Sequence, residues 1–258
     1  MRSLLLLSAL FGIGSFAAGA DEKYVTIKGT VKWNGEKAPA KAVIDVKVDK
    51  DTCCKAGPLE SSKIEVNPKN LGVANVMVWL RPDDKDRTKT FPLDQIHPDL
   101  AKPKSKEHVI DQPKCQFEPR ITLARAGDTL VIKNSAAIPH NVNYSSDNES
   151  FNQTLPAGTE KKLQKPLEAQ KTPVGVACNI HPWMEGKVRV FDHPYYALTD
   201  KDGNFEIKDA PVGKWRVVYQ HEGGYHKGKE GLLGFPVDVG GAKKTMELEA
   251  IKLELPKP

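Results

Sequence analysis

Residues 177–191 read ACNIHPWMEGKVRVF. Cys178, His181 and Met184 fall at intervals of three, and the run that follows, 186–191, alternates polar and apolar residues. Such alternation marks a strand with one face on a core. The triplet points elsewhere: a thiol, an imidazole and a thioether on one short loop are soft and borderline metal donors. Singly, each has a commoner use, a methionine as core filler and a lone histidine as a surface or structural residue. A metal site needs a further donor from outside the loop.

His140, in NSAAIPHNVNY (134–144), is the candidate for that donor, 38 residues before Cys178. Val142 and Tyr144 alternate after it, so a strand is expected to begin at the histidine, with Asn141 beside it. Much of the chain reads the same way. Period-two runs recur at YVTIKGTV (24–31), AVIDVKV (42–48), NVMVWL (75–80), RITLA (120–124), TLVIKN (129–134), GNFEI (203–207), KWRVVYQ (214–220), FPVDV (235–239) and MELEAIKLEL (246–255). No long segment carries apolar residues at helical spacing. The expected fold class is all-β, built of β-sandwiches. DKDGN (200–204) is expected to be a tight turn, because the rest of a calcium-binding loop does not follow it.

The chain opens MRSLLLLSALFGIGSFAAGADEK. One arginine, a short apolar run and small residues at Ala18 and Ala20 predict a secretory signal peptide over 1–20, cleaved near Ala20. The run is short for a membrane span, and no other is present to help it. The protein is therefore expected in a periplasm or outside the cell. Without Arg2, 37 basic side chains face 33 acidic ones, a net of +4. That mild excess is no nucleic-acid signature; the lysines at 102–106 and 161–165 are expected to be solvated faces.

RPDDKDRTKTFPLDQIHPDLAKPKSK (81–106) is charged and rich in proline, and is expected to be a long surface connection. A second boundary falls in FDHPYYALTD (191–200). These marks isolate residues 106–191 as a candidate domain between flanks 21–105 and 192–258, with the connection at 81–105.

The middle block carries, in order, Phe117 and Pro119, the turn Gly127-Asp128-Thr129, a strand ending at Asn134, then His140-Asn141, then Cys178, His181 and Met184. This order resembles the cupredoxins, and among them the amicyanin and plastocyanin type, over nearly all of 108–191. The resemblance implies a Greek-key β-sandwich holding one type 1 (blue) copper ion on His140, Cys178, His181 and Met184. It implies that Asn141 ties the two ligand loops together, and that the His181 ring edge lies near the surface. Pro182 and Trp183 would form the contact patch there for an electron-donor and an electron-acceptor protein. It further implies one-electron transfer rather than enzymatic catalysis.

The flanks resemble the carboxypeptidase regulatory-like, transthyretin-type sandwich. GTVKWNGEKAPAKAVIDVKV (29–48) looks like its opening, and Asp200, Gly203, Phe205, Ile207, Pro211, Gly213 and Trp215 occupy its later motif. The expectation is a second, Ig-like sandwich, either split around the copper block or followed by it as sequential domains.

Other chemistries fit less well. A dinuclear copper site needs a second cysteine in the loop, a structural zinc site favours more thiolates, and no oxyanion-hole pattern supports Cys178 as a nucleophile. Copper carriage or storage, and a non-redox binding module, remain alternatives to electron transfer. Cys53, Cys54 and Cys115 are disulfide candidates in an oxidising compartment. Sequence neighbours pair only with strain, which leaves Cys53 or Cys54 with Cys115. His97, His108, His193, His221 and His226 are expected at the surface or in loops.

Overall fold

The computed structural model describes residues 22–255; the expected signal peptide, 1–20, lies outside the described residues. In chain order the strands are β1 (Tyr24–Trp33), β2 (Met77–Pro82), β3 (Glu107–Ile110), β4 (Ile121–Arg125), β5 (Thr129–Lys133), β6 (His140–Ser145), β7 (Ser150–Leu155), β8 (Glu160–Lys162), β9 (Val174–Ala177), β10 (Glu185–Phe191), β11 (Tyr196–Leu198), β12 (Asn204–Pro211), β13 (Gly213–His221), β14 (Gly224–Tyr225), β15 (Phe235–Val239), β16 (Thr245–Glu247) and β17 (Ile251–Leu253). The α-helices among the described residues are α1 (Lys50–Cys53) and α2 (Pro98–Ala101), of four residues each. No helix there is long and apolar enough to cross a membrane. The molecule is all-β.

Two sheets are drawn entirely from residues 107–191. One runs β4-β10-β9-β6-β7 and the other β3-β5-β8. Both contribute to a single core: Ile110, Leu130 and Ile132 from the smaller sheet meet Val142, Tyr144, Val176, Val188 and Val190 from the larger. The alternation in 186–191 is the two-faced pattern of β10. Val188 and Val190 turn into this core, while Arg189 and Phe191 turn to the opposite face.

The remaining two sheets mix the ends of the chain. One runs β12-β1-β16 with β17 also on β1; the other runs β11-β2-β13-β14 with β15 also on β13. Their shared core includes Val25, Ile27, Val78, Leu80, Phe205, Ile207, Trp215 and Val217. The junction between the two ends is tight. A Cβ on Gly72 would stand 1.9 Å from Asp202 O, and Gly203 adopts φ 81° in the turn that brings it there. The DKDGN segment is that turn: Gly203 N–H donates to Asp200 O at 2.9 Å.

Three features differ from expectation. The segment 42–48 forms only an isolated bridge at Val43, because only Val46 of it is buried. The connection 81–105 is anchored as well as exposed: Phe91 and Ile96 are buried in the second core, and Phe91 stacks on Trp215 with ring centroids 4.5 Å apart. Val46, Cys53 and Leu59, from the N-terminal flank, belong to the core of the 107–191 sandwich.

Candidate metal centre

His140 is the first residue of β6. Its strand pairs with β7 and β9, which brings it beside the end of β9 from which Cys178 emerges. The loop 178–184 closes the β9–β10 hairpin. Within it the Cys178 N–H donates to Met184 O at 3.1 Å, and the Met184 N–H donates to His181 O at 2.8 Å. All four side chains are sealed from solvent: His140 and His181 are 0%, Met184 1% and Cys178 2% exposed.

The rings of His140 and His181 meet edge to face, centroids 5.0 Å apart at 87°. His181 Nδ1 lies 3.7 Å from Cys178 Sγ. An ion bonded at about 2.3 Å to a thiolate and about 2.0 Å to an imidazole, with an angle near 120°, holds those donors about 3.7 Å apart. The Asn141 N–H donates to Cys178 Sγ at 3.3 Å, so the sulfur accepts a backbone bond on one side and faces His181 on the other. The Asn141 side chain spans both ligand segments, accepting from the Asn179 N–H at 3.0 Å and donating to Asn152 at 2.8 Å.

His140 supplies the fit test. Neither of its ring nitrogens has a hydrogen-bond partner. Burial, helped by neighbouring His181, pushes its pKa down to about 4, so at neutral pH it is an uncharged imidazole. A buried polar group without a partner carries a desolvation cost that the native fold normally avoids. Among the described residues no three His, Cys, Asp or Glu side chains form a ready metal cluster. His140, Cys178 and His181 are no exception: they lie side by side with Met184 but do not converge into a closed three-donor cluster. Two imidazoles, one thiol and a thioether suit copper better than zinc, magnesium or calcium. The donor types present, though not gathered into a closed cluster, are those that suit a copper ion.

One residue here was not legible in the motif. Asp49, just before α1, places Oδ2 2.9 Å from His181 Nε2. With the carboxylate accepting from Nε2–H, Nδ1 keeps its lone pair on the side facing Cys178. Asp49 sits 132 residues from His181 and holds a left-handed backbone at φ 52°. Its only sequence signal is proximity to Cys53. The disulfide joins Cys53 to Cys115 across 62 residues, leaving Cys54 as a thiol. That bond fastens α1 over the loop. The expectation of a surface-lying His181 edge is thereby overturned, because the Asp49 segment covers it. Pro182 is exposed, while Trp183 is half-buried, its indole N–H donating to Cys115 O at 3.0 Å.

Of the other histidines, His97, His193 and His226 lie in loops or turns as expected, whereas His108 lies in β3 and His221 ends β13. His97 and His108 are half-buried, whereas His193, His221 and His226 are fully buried. His108 pairs with Asp128 at 2.8 Å.

No family model matches the chain, and no curated protein matches it. Among solved structures it is similar to a purple cupredoxin from Nitrosopumilus maritimus, at 23% identity over 32% of this chain and 97% of that one, with a TM-score of 0.27. It is similar to an oxidised point mutant of amicyanin at 25% identity, over 35% of this chain and 88% of the other, TM-score 0.29. A copper-containing nitrite reductase from Thermus scotoductus SA-01 matches at 19% identity, over 35% of this chain and 23% of the other, TM-score 0.30. Scores this low do not establish a shared fold, and the assignment of the site rests on its own side chains.

Proposed function

We propose that the chain is an exported mononuclear copper protein that passes single electrons between other proteins and catalyses no reaction of its own. The carrying observation is His140: a fully buried imidazole with no internal partner, beside a thiol, a second imidazole and a buried methionine. His140, Cys178, His181 and Met184 would hold the ion, with Met184 as the weak donor. When bound, copper supplies a Cu(II)/Cu(I) couple. The chain's own residues do the rest. Burial keeps water from the donors, Asp49 fixes the His181 tautomer, and the Asn141 N–H holds the Cys178 sulfur in place. The β9–β10 hairpin loop carries Cys178, His181 and Met184 and β6 carries His140, so two paired elements would hold the donors in both oxidation states.

Export is supported by the predicted signal peptide and by the Cys53–Cys115 disulfide, a bond typical of oxidising compartments. The pairing of β1 with β12 and of β2 with β13 supports one split sandwich, 21–105 and 192–258, with a copper block at 106–191 inserted into it, while Val46, Cys53 and Leu59 of the first flank pack into the core of that block. Partners would be a redox donor and acceptor protein, met at Pro182 and Trp183, with the lysines at 161–165 orienting an acidic surface.

One observation favours copper carriage or storage as a second reading: the His181 edge is covered by Asp49 rather than open to a partner. A reversible one-electron couple supports transfer, and ready surrender of Cu(I) to a chelator supports carriage. The first test is the absorption spectrum of purified protein after Cu(II) is added. An intense visible charge-transfer band is expected; a colourless protein that binds no copper would overturn both readings.

A further inference from the structure

Away from the metal centre, the outer face of β10 meets the sheet of β2 and β13 in an apolar seam of Met77, Trp79, Ile121, Phe191 and Val218. Arg189 points into that seam. It is 8% exposed, and its Nε and Nη1 have no hydrogen-bond partner. No carboxylate among the described residues pairs with it. Its guanidinium lies over Trp79 at 5.3 Å and over Phe191 at 5.1 Å, which partly offsets the charge but leaves the N–H donors unused.

The chain treats its other buried arginines differently. Arg81 donates to the carbonyls of Asp84, Leu233 and Asp86 at 3.0, 2.9 and 2.8 Å. Arg120 forms a two-pronged pair with Glu222 at 2.5 Å on each prong. A buried charge without a partner is among the most costly arrangements a fold can hold. Arg189 borders a cleft of about 310 Å³, whose lining includes Arg87, Lys89 and Lys171 at the rim and Asp192 as its one acid. The three rim cations are exposed, and among the described residues none of their side chains forms an ion pair or a hydrogen bond.

We propose that this cleft binds a small oxyanion, a carboxylate or phosphate group taken by the fork of Arg189 and drawn in by Arg87, Lys89 and Lys171. A planar guanidinium matches the two oxygens of either group. The volume lies at the lower end for small-molecule pockets, and so suits a compact anion. The site stands on Arg189 and the cleft alone, and does not depend on copper.

The test is isothermal titration calorimetry on the full-length, metal-free protein, with inorganic phosphate and with succinate in separate titrations at low ionic strength. Saturable binding of one anion per chain is expected. Preference for phosphate or for succinate then identifies the source of the oxyanion. Arg189→Gln should weaken binding at least tenfold. Arg87→Gln with Lys171→Gln, both at exposed positions and so compatible with folding, should weaken it severalfold. No saturable binding of either anion, or unchanged affinity in the rim variant, would overturn the proposal.

Discussion

In the split sandwich three buried histidines are each held by the backbone. His193 Nδ1 accepts the Tyr195 N–H at 3.1 Å, His221 Nδ1 the Gly223 N–H at 3.0 Å, and His226 Nδ1 the Glu254 N–H at 3.1 Å. At the loop end of the 107–191 sandwich His140 has no such bond. Burial alone does not separate the two regions, since it pushes His193 down to about 3 and His140 down to about 4. What separates them is the partner. Where the fold supplies an N–H, the imidazole is structural. Where it supplies none, the unmet lone pairs point to a ligand that the chain alone does not provide. The loop end differs in a second way: it is covered by a segment from outside its own sandwich, through Asp49 and the Cys53–Cys115 bond.

The largest effect that would break this contrast is at Cys178. Cys178→Ala removes the one thiolate from the donor set, and the visible charge-transfer band should vanish completely on copper addition. A variant that kept its colour would take Cys178 out of the site. Next comes the covering segment. Replacing both Cys53 and Cys115 by serine reopens a loop of 62 residues, a loss of about 4 kcal/mol in the chain-entropy model, read by urea denaturation. The same variant should bind copper less tightly, because Asp49 loses its anchor over His181. Unchanged affinity alongside the lost stability would show that the cover does not support the site.

Most strands were legible, and the four proposed donors could be named, for one reason: each is encoded locally. Alternation within β1, β6, β10 and β13 marks a face, and the donor order 140, 178, 181, 184 repeats a recognisable motif. Elements without local contrast were missed. Five of the six residues of β7, SFNQTL, avoid full burial, so no apolar face appears in its sequence. β9, VGVA, is short and contains glycine. Asp49 was illegible because its role arises only when a disulfide brings its segment to a loop 132 residues away. Arg189 was misleading rather than silent. Alternation in KVRVF assigns it to the solvent face, and it does leave its own core; a second sandwich then covers that face.

A paired substitution sharpens the central comparison at intermediate size. His193→Leu leaves the buried Tyr195 N–H without an acceptor and should cost about 1–3 kcal/mol. His140→Leu in the metal-free protein orphans nothing and replaces an unpartnered polar ring with an apolar side chain. It should cost less than His193→Leu, or even stabilise the chain, while abolishing copper binding. Denaturation of both metal-free variants decides the matter: equal losses would mean that the His140 ring is structural after all.

The smallest effect concerns how each region holds an imidazole proton or lone pair. A backbone N–H, as at His193, carries no net charge to tune its neighbour. Asp49 carries one, 2.9 Å from His181 Nε2. Asp49→Asn keeps an oxygen that can accept the Nε2–H but removes the negative charge that favours the more positive, oxidised ion. The reduction potential should therefore rise. With the Asp49 side chain 44% exposed, solvent screens the interaction to the range of a surface pair, which corresponds to about 10–40 mV. Voltammetry at low and high salt measures it, and the rise should shrink as salt increases. A fall in potential, or no change at low salt, would mean that the carboxylate does not act on the ion through His181, and the loop end would then be as self-contained as the flanking sandwich.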